Sequence, residues 1–511
     1  MTNHRFRSEP GHARHDASFG GYRRPVRVAS FAAAFALFAL FLAWHASDDD
    51  EASPTDELPL SRAQAQSASR VPPASSISPA SPATMQTAAS DATGAPNPNA
   101  GSNAALAAAP RDDANSTDLV KRGEYLARAG DCMACHTADN SRPFAGGLPM
   151  STPFGTIYTP NITPDPDTGI GRWSDAQFVR AMQEGIGKSG EHLYPAFPYT
   201  EYTRVAGRDL LAIRAYLNTL APIRYAPPRN DLSFPFNQRW LMVFWNLFNF
   251  REGRFVPDPK MSPQWNRGAY LVEGLAHCEE CHTPRNFMQG LKTSERFSGE
   301  VQAGWHAFNI TPDKAGGIGN WSDDDLVRYL AKGAVAGRAN AAGPMADVVE
   351  NSTQYLSDPD LRAIGVYLRS LPPVAGGATR ARDQWGKPAD DVTRLRGTAI
   401  AGVNGAQLFL ANCATCHAWT GRGIGADKPL AYPSLIHNSA VGALDAGNLA
   451  MVILHGVSRK TKDADVMMPA FASELNDDEV AALANYVTRQ FGDPRATLTA
   501  ADVAKLRVRQ P

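Results

Sequence analysis

The pentapeptide CMACH at Cys132–His136 returns as CEECH at Cys278–His282 and as CATCH at Cys413–His417, and these three motifs use all six cysteines of the 511-residue chain. Two thiols three residues apart lie on one helical turn, where they can form thioethers to the two vinyl groups of a porphyrin while the adjacent histidine reaches the iron. A single C-x-x-C-H also suits a zinc half-site or a redox dithiol. Three of them, with no cysteine left for a structural disulfide, point to three covalently bound haem c groups. Cys132, Cys135, Cys278, Cys281, Cys413 and Cys416 are then the attachment points, and His136, His282 and His417 the proximal iron ligands. Covalent haem is attached outside the cytoplasm, so the motifs also predict export.

Outward from the first two motifs the sequence repeats. VKRGEYLARAGDCMACHT (120–137) is echoed by WNRGAYLVEGLAHCEECHTPRN (265–286), NITPDPDTGIGRWSDAQFVRAMQEG (161–185) by NITPDKAGGIGNWSDDDLVRYLAKG (309–333), and DLLAIRAYLNTL (209–220) by DLRAIGVYLRSL (360–371). A third, more diverged unit carries GAQLFLANCATCHAWTGRG (405–423) and LNDDEVAALANYVTRQFG (475–492). Each unit reads as an amphipathic helix that delivers C-x-x-C-H at its end, a Gly/Pro-rich wrap, a second helix capped by Ser174 or Ser322, and a terminal helix packed back across the first. In that last helix Leu211, Ile213, Tyr216 and Leu217 are expected to be core. The fold class expected is mainly α, with tandem haem domains at 117–225, 262–373 and 400–492, a connector at 226–261, a linker at 374–399 and a tail at 493–511. The connector holds LSFPFNQRWLMVFWNLFNF (232–250), seven aromatic residues in nineteen, too polar at Asn237, Gln238, Arg239 and Asn246 for a membrane span. It suits packing between two haem domains, or docking on a partner or a membrane interface.

An electron-transfer haem needs both axial positions filled, and His plus Met gives a higher potential than His plus His. Met345, in AAGPM, lies 63 residues after His282, and Met468, in VMMPAF, 51 after His417, with Met467 as its neighbour and rival. The first unit differs. Trp321 to Met345 is 24 residues, and Trp173 plus 24 is Phe197, in LYPAFPY. A phenyl ring cannot ligate iron, so the first haem either recruits another residue, Met182, Met150 or His192, or keeps an open position; Met182 matches Leu330 in a packed helix.

Arg5, Arg7, Arg14, Arg23, Arg24 and Arg27 precede the apolar run Val28–Trp44, and DDDEASPTDE follows it soon after. This polarity suits an uncleaved anchor or a signal helix at 28–44 behind a basic cytoplasmic segment at 1–27, and both orient the rest outward. Residues 45–116, mostly Ala, Ser, Pro, Asp and Asn, read as a disordered tether. A formal charge of -1 gives no polyanion-binding signature and argues against a nucleic-acid partner.

RGEYLARAGDCMACHT, PFGTIYTPNITPDPDTGIGRWSD, HLYPAFPY, FPFNQRW, AAGPM and the final MPAF with ELNDDEVAALANYV resemble the three-haem cytochrome c subunits of membrane-associated bacterial dehydrogenases over about residues 119–492. The resemblance implies three tandem class I cytochrome c domains, with the motif methionines falling on Met345 and Met468. It implies a periplasmic dehydrogenase partner of quinoprotein, flavoprotein or molybdenum type, and ubiquinone or a terminal oxidase as electron acceptor. Some members carry LYPAMPY where this chain has LYPAFPY; the Phe form is closer to the branch associated with molybdenum hydroxylases.

No Ser/His/Asp arrangement, flavin motif or quinoprotein signature suggests that the chain oxidises an organic substrate itself. The expected role is a non-catalytic electron-transfer subunit on the periplasmic side of the inner membrane. Two alternatives are a membrane-tethered shuttle without a permanent partner, and a multihaem peroxidase using an open position at Phe197 with Glu191 or His192.

Overall fold

The computed structural model describes residues 116–390, 402–425 and 432–508. The basic segment, the apolar run at 28–44, the tether up to residue 115 and residues 391–401 of the linker lie outside them. Among the described residues no helix is long and apolar enough to cross a membrane.

The first repeat runs through α1 (Ser116–Ala129), the hairpin β1–β2 (Pro149–Thr152, Gly155–Tyr158), α2 (Asp175–Glu184) and α3 (Gly207–Leu217), and closes with β3 (Asp231–Leu232) beside β2. The connector forms α4 (Met242–Asn249). The second repeat holds α5 (Pro263–Tyr270), the hairpin β4–β5 (Glu300–Gln302, Trp305–Ala307), α6 (Asp323–Lys332), β6–β7 (Ala334–Val335, Ala339–Asn340), α7 (Pro344–Asn351) and α8 (Asp358–Ser370). Then come α9 (Gly405–Asn412), α10 (Gly447–His455), the hairpin β8–β9 (Val457–Lys460, Asp465–Met468), α11 (Asp477–Phe491) and α12 (Ala500–Arg507).

One helix crossing occurs three times. A Cβ on Gly123 of α1 would lie 1.9 Å from the Ala212 carbonyl oxygen of α3, one on Gly268 of α5 1.9 Å from that of Ala363 in α8, and one on Gly405 of α9 2.1 Å from that of Ala482 in α11. Only a residue without a Cβ lets two helix backbones approach this closely. Each crossing glycine stands shortly before its C-x-x-C-H, so the crossing sets where the motif begins. In the third unit α9 continues through Cys413 into Ala414–His417, as expected, but in the first two repeats the helices do not run straight into the motifs. α1 ends at Ala129, and Asp131, with φ of 50°, redirects the chain before the separate turn Cys132–His136. In the second repeat a π-helical stretch, Leu271–Leu275, and His277, with φ of 36°, do the same before Glu279–His282.

The serine caps are as read from sequence: Ser174 with Gln177 and Ser322 with Asp325 form reciprocal capping boxes at α2 and α6. Ile213 and Leu217 of α3 are buried, but Leu211, expected in the core, is 38% exposed. The helical period explains this, because 210, 213 and 217 share one face and 211 falls about 100° away.

Repeats one and two share a single hydrophobic core that includes Leu126, Phe178, Leu210, Ile213, Leu271, Phe297, Ile364 and Leu368. Their contact is reciprocal. Arg122 of α1 clamps Asp209 of α3, and Asp209 Oδ2 also accepts from the Tyr270 hydroxyl at 2.6 Å. In the other direction Arg267 of α5 holds Asp360 of α8, and Asp360 Oδ2 accepts from the Tyr125 hydroxyl at 2.5 Å. The R-G-x-Y sequence therefore places its arginine within its own repeat and its tyrosine across the boundary.

The connector has two faces. Trp245 is buried and its Nε1 donates to the Met288 carbonyl at 2.8 Å, while Asn246 accepts from the Tyr199 hydroxyl at 2.6 Å, so α4 joins both repeats. On its other side Val243, Leu247 and Phe248 are exposed, with Phe234 and Phe287 exposed as well.

The third unit has its own core around Phe409, Leu454, Val480, Val487 and Phe491. The stretch read as a tail belongs to it: Val503 of α12 is fully buried, and Arg507 donates to Asp477 Oδ1 at 2.7 Å and to the Leu475 carbonyl at 2.8 Å. Linker residues staple this unit to the second repeat. Arg338 pairs with Asp383, His437 N donates to the Trp385 carbonyl at 3.1 Å, and Asn448 exchanges bonds of 2.7 and 2.9 Å with the backbone of His306.

Candidate metal centres

Each motif ends in a histidine held from behind. His136 Nδ1 lies 2.7 Å from the Pro160 carbonyl oxygen, His282 Nδ1 2.6 Å from that of Phe308, and His417 Nδ1 2.9 Å from that of Pro433. A carbonyl only accepts, so Nδ1 carries the proton and the lone pair on Nε2 is left for a metal. Burial pushes all three imidazoles below their ordinary range, which keeps them neutral near pH 7.

The repeated N-I-T sequence positions two of those carbonyls. Asn161 Oδ1 accepts from Thr163 N at 2.9 Å and Oγ1 at 2.7 Å, and Asn309 Oδ1 from Thr311 N at 2.8 Å and Oγ1 at 2.7 Å. Their side-chain amides reach the chain beyond the last helix of each repeat, at the Ile223 carbonyl (2.8 Å) and the Val374 carbonyl (2.7 Å). Sequence reading used N-I-T only as a repeat marker; its position directly after Pro160 and Phe308 was the available signal.

No disulfide joins any two of the six cysteines. Burial pushes Cys132, Cys135, Cys278 and Cys413 up to about 12, the reverse of the depressed thiol that disulfide exchange requires. Among the described residues no three His, Cys, Asp or Glu side chains converge as a metal cage. An iron at these histidines must therefore bring its own equatorial ligands, as a porphyrin does. Trp305 Nε1 and Trp419 Nε1 are buried donors without an acceptor among the described residues, and haem carboxylates are acceptors of the kind they lack. The residues present fit a covalently attached haem.

The candidate sixth ligands differ in setting. Met345 follows Pro344 at the start of α7, and a Cβ on the preceding Gly343, whose φ is 52°, would meet the Trp305 ring at 2.4 Å. The Met345 loop is thus pressed against Trp305. On β9 the alternation separates the two methionines: Met467 is 78% exposed, whereas Met468 pairs with Val457 on the other, more sheltered face.

In the first repeat Phe197 packs on the core with its ring 5.5 Å from that of Tyr202. Met182 is buried beside Phe178 in α2, the core position that its match to Leu330 suggested. Met150 lies on β1, and His192 has a buried Nδ1 without a partner among the described residues. Tyr202 itself connects the first two motifs: its hydroxyl donates to the Gly130 carbonyl at 3.1 Å and its ring meets that of His277 at 5.8 Å. Gly130 and His277 lie just before Cys132 and Cys278.

Comparison with known proteins gives a consistent picture. A cytochrome c family model matches residues 120–221 and 402–490. The chain is 41% identical over 404 residues to the fructose dehydrogenase cytochrome subunit of Gluconobacter japonicus, covering 76% of this chain and 82% of that one. It is 40% identical over 414 residues to the gluconate 2-dehydrogenase cytochrome c subunit of Pantoea cypripedii, covering 78% and 92%. It is 38% identical over 408 residues to the cytochrome c subunit of the quinone alcohol dehydrogenase of Gluconobacter oxydans, covering 76% and 82%.

Proposed function

The chain belongs to the family of cytochrome c subunits of membrane-associated bacterial dehydrogenases, and from that premise we propose that it carries electrons from a partner's catalytic subunit to the respiratory chain through three haem c groups. The observation that carries this reading is the threefold recurrence of one arrangement, a crossing glycine, then C-x-x-C-H, then a histidine tied by Nδ1 to a backbone carbonyl. Bound haem supplies one-electron iron chemistry. The chain's own work is to fix the distances and set the surroundings of each iron.

In this reading Cys132 and Cys135, Cys278 and Cys281, and Cys413 and Cys416 hold the three haems, with His136, His282 and His417 on the proximal side. Met345 and Met468 supply sixth ligands to the second and third. Phe197 shields the distal side of the first without binding iron, so that centre differs from the other two. The shared core and Tyr202 keep the first two motifs in fixed register, which suits transfer between them.

The names of the relatives support a dehydrogenase partner for this chain too. The partner proposed is of quinoprotein, flavoprotein or molybdenum type, with ubiquinone or a terminal oxidase receiving the electrons. The setting proposed is the periplasmic face of the inner membrane, reached through the segment at 28–44. The exposed apolar side of α4, with Leu247 74% and Phe248 61% exposed, supports a docking role there.

Two measurements on protein from native membranes test this function. Mass spectrometry of proteolytic peptides is expected to find a haem adduct on each of the three cysteine pairs; an unmodified pair would remove that centre. A dehydrogenase subunit is expected to co-purify in fixed stoichiometry, and isolation of the chain alone would favour a free shuttle.

A further inference from the structure

Arg459 lies on β8 in the third unit, yet its side chain is buried in the second repeat. It is 1% exposed and is the largest fully buried side chain of the described protein. Its one hydrogen bond to the second repeat is from Nη1 to the Ala341 carbonyl at 2.5 Å, and its guanidinium fills the space beside Gly333, where a Cβ would come within 2.6 Å of Nε. Among the described residues its Nε has no partner and no carboxylate pairs with this arginine. Glu350, the acidic side chain that acts on it, has Oε2 engaged by Lys460 N at 2.8 Å.

A second cation shows the same deficit. Arg382, from the linker, stacks on Phe308 with its guanidinium carbon 4.3 Å from the ring centre and donates to the Gly316 carbonyl, and its Nε also lacks a partner among the described residues. The neighbouring Asp383 is taken by Arg338. Tyr329 of α6 feels both guanidinium groups. With Trp305 Nε1, three buried donors packed on the second repeat, one its own, one from the linker and one from the third unit, lack acceptors among the described residues, two of them on cations. Buried charge without a counter-ion is costly, so this constellation describes a site completed by an anion with several acceptor oxygens.

We propose that Arg459 of the third unit completes the haem site of the second repeat, acting as counter-ion to a carboxylate of the haem held by Cys278 and Cys281, with Trp305 and Arg382 as companion donors. This rests on the function proposed above and extends it, because one structural element then serves two centres. On the β8–β9 hairpin Arg459 pairs with Val466 and Val457 with Met468, so Arg459 and Met468 share a face. The hairpin that presents the third haem's sixth ligand also inserts a fixed positive charge at the second haem, against the loop that leads into Met345. A cation there disfavours the oxidised iron, and the third unit thereby raises the potential of its neighbour.

The test is a potentiometric titration of the full, haem-loaded protein, with Met345→Ala and Met468→Ala used to assign the waves of the second and third haems. Arg459→Gln is expected to lower the wave that Met345→Ala moves, by about a tenfold change in the oxidation equilibrium or ~59 mV for one electron. Arg459→Lys should restore most of it. Trp305→Phe, which removes one donor and keeps an aromatic ring, should shift the same wave downward by less and alter the carboxylate-bending band in resonance Raman spectra. A merely structural arginine would leave that wave in place or move all waves alike, and either result overturns the proposal. The outcomes separate from those of the parent reading: a wild-type protein without haem on Cys278 and Cys281 rejects both, whereas normal loading with an inert Arg459→Gln rejects this inference alone.

Discussion

The Tyr125 hydroxyl donates to Asp360 Oδ2 at 2.5 Å across the boundary between the first two repeats, and Tyr270 makes the mirror bond to Asp209 at 2.6 Å. Each carboxylate is also gripped by an arginine of its own repeat, so each tyrosine completes a site that is already charged. A hydrogen bond to a charged group contributes about 1.5–3 kcal/mol. Tyr125→Phe and Tyr270→Phe should each lower the unfolding free energy of residues 116–390 by about that much, as read by denaturant titration. A loss below ~0.5 kcal/mol for both would show the bonds to be incidental to stability.

The crossing glycines offer a sharper local test. Gly405→Ala must separate α9 from α11 and should cost about 1–3 kcal/mol, as overpacking does. Because the third unit has its own core, hydrogen exchange should rise in 402–508 first, while Gly268→Ala should loosen both of the first two repeats together. Equal loosening everywhere after Gly405→Ala would contradict the division into two cores.

The ligand assignments predict spectra. Met345→Ala and Met468→Ala should each abolish one methionine-to-iron charge-transfer signal, and Met467→Ala should abolish none. Phe197→Met should add a signal from the first centre if its distal side is within reach of that position, and no change would place Phe197 away from the iron.

Glu201 gives a pH dependence. Burial first, and then the neighbouring Glu280, hold its carboxyl well above the usual glutamate range, while Glu280, paired with Arg285, stays ionised. A raised folded value means that the native state binds the proton more tightly than the unfolded chain. Stability from this group is therefore full below about pH 4.5 and declines as pH rises above it toward the folded value. Glu201→Gln should remove that decline, so its melting temperature should exceed wild type by more at pH 8 than at pH 4. A pH-independent difference would mean that Glu201 is ionised in the folded protein.

How much of this was legible in the sequence depended on range. Local patterns carried well: Ser174 and Ser322 cap their helices because a serine three residues before a side-chain acceptor satisfies backbone groups nearby. The repeat located the Phe197 difference because equal spacing from a tryptophan needs no tertiary knowledge. Longer-range roles were hidden. R-G-x-Y was visible twice, but that its tyrosine serves the other repeat depends on how two domains meet. No local pattern marks Arg459, and only the packing of two units buries it. Residues 500–507 passed for a tail because they hold only two large apolar residues; Val503 is buried in the core and Leu506 packs against it.

The paired tyrosines have a further consequence. Two identical chains meeting through such reciprocal contacts would form an isologous dimer whose lifetime depends on protein concentration. Here duplication has put both halves on one polypeptide, and residues 226–261 act as the tether that sets their effective concentration. Dilution cannot part the first centre from the second, and a proteolytic nick in that connector would restore the concentration dependence that the fusion removed.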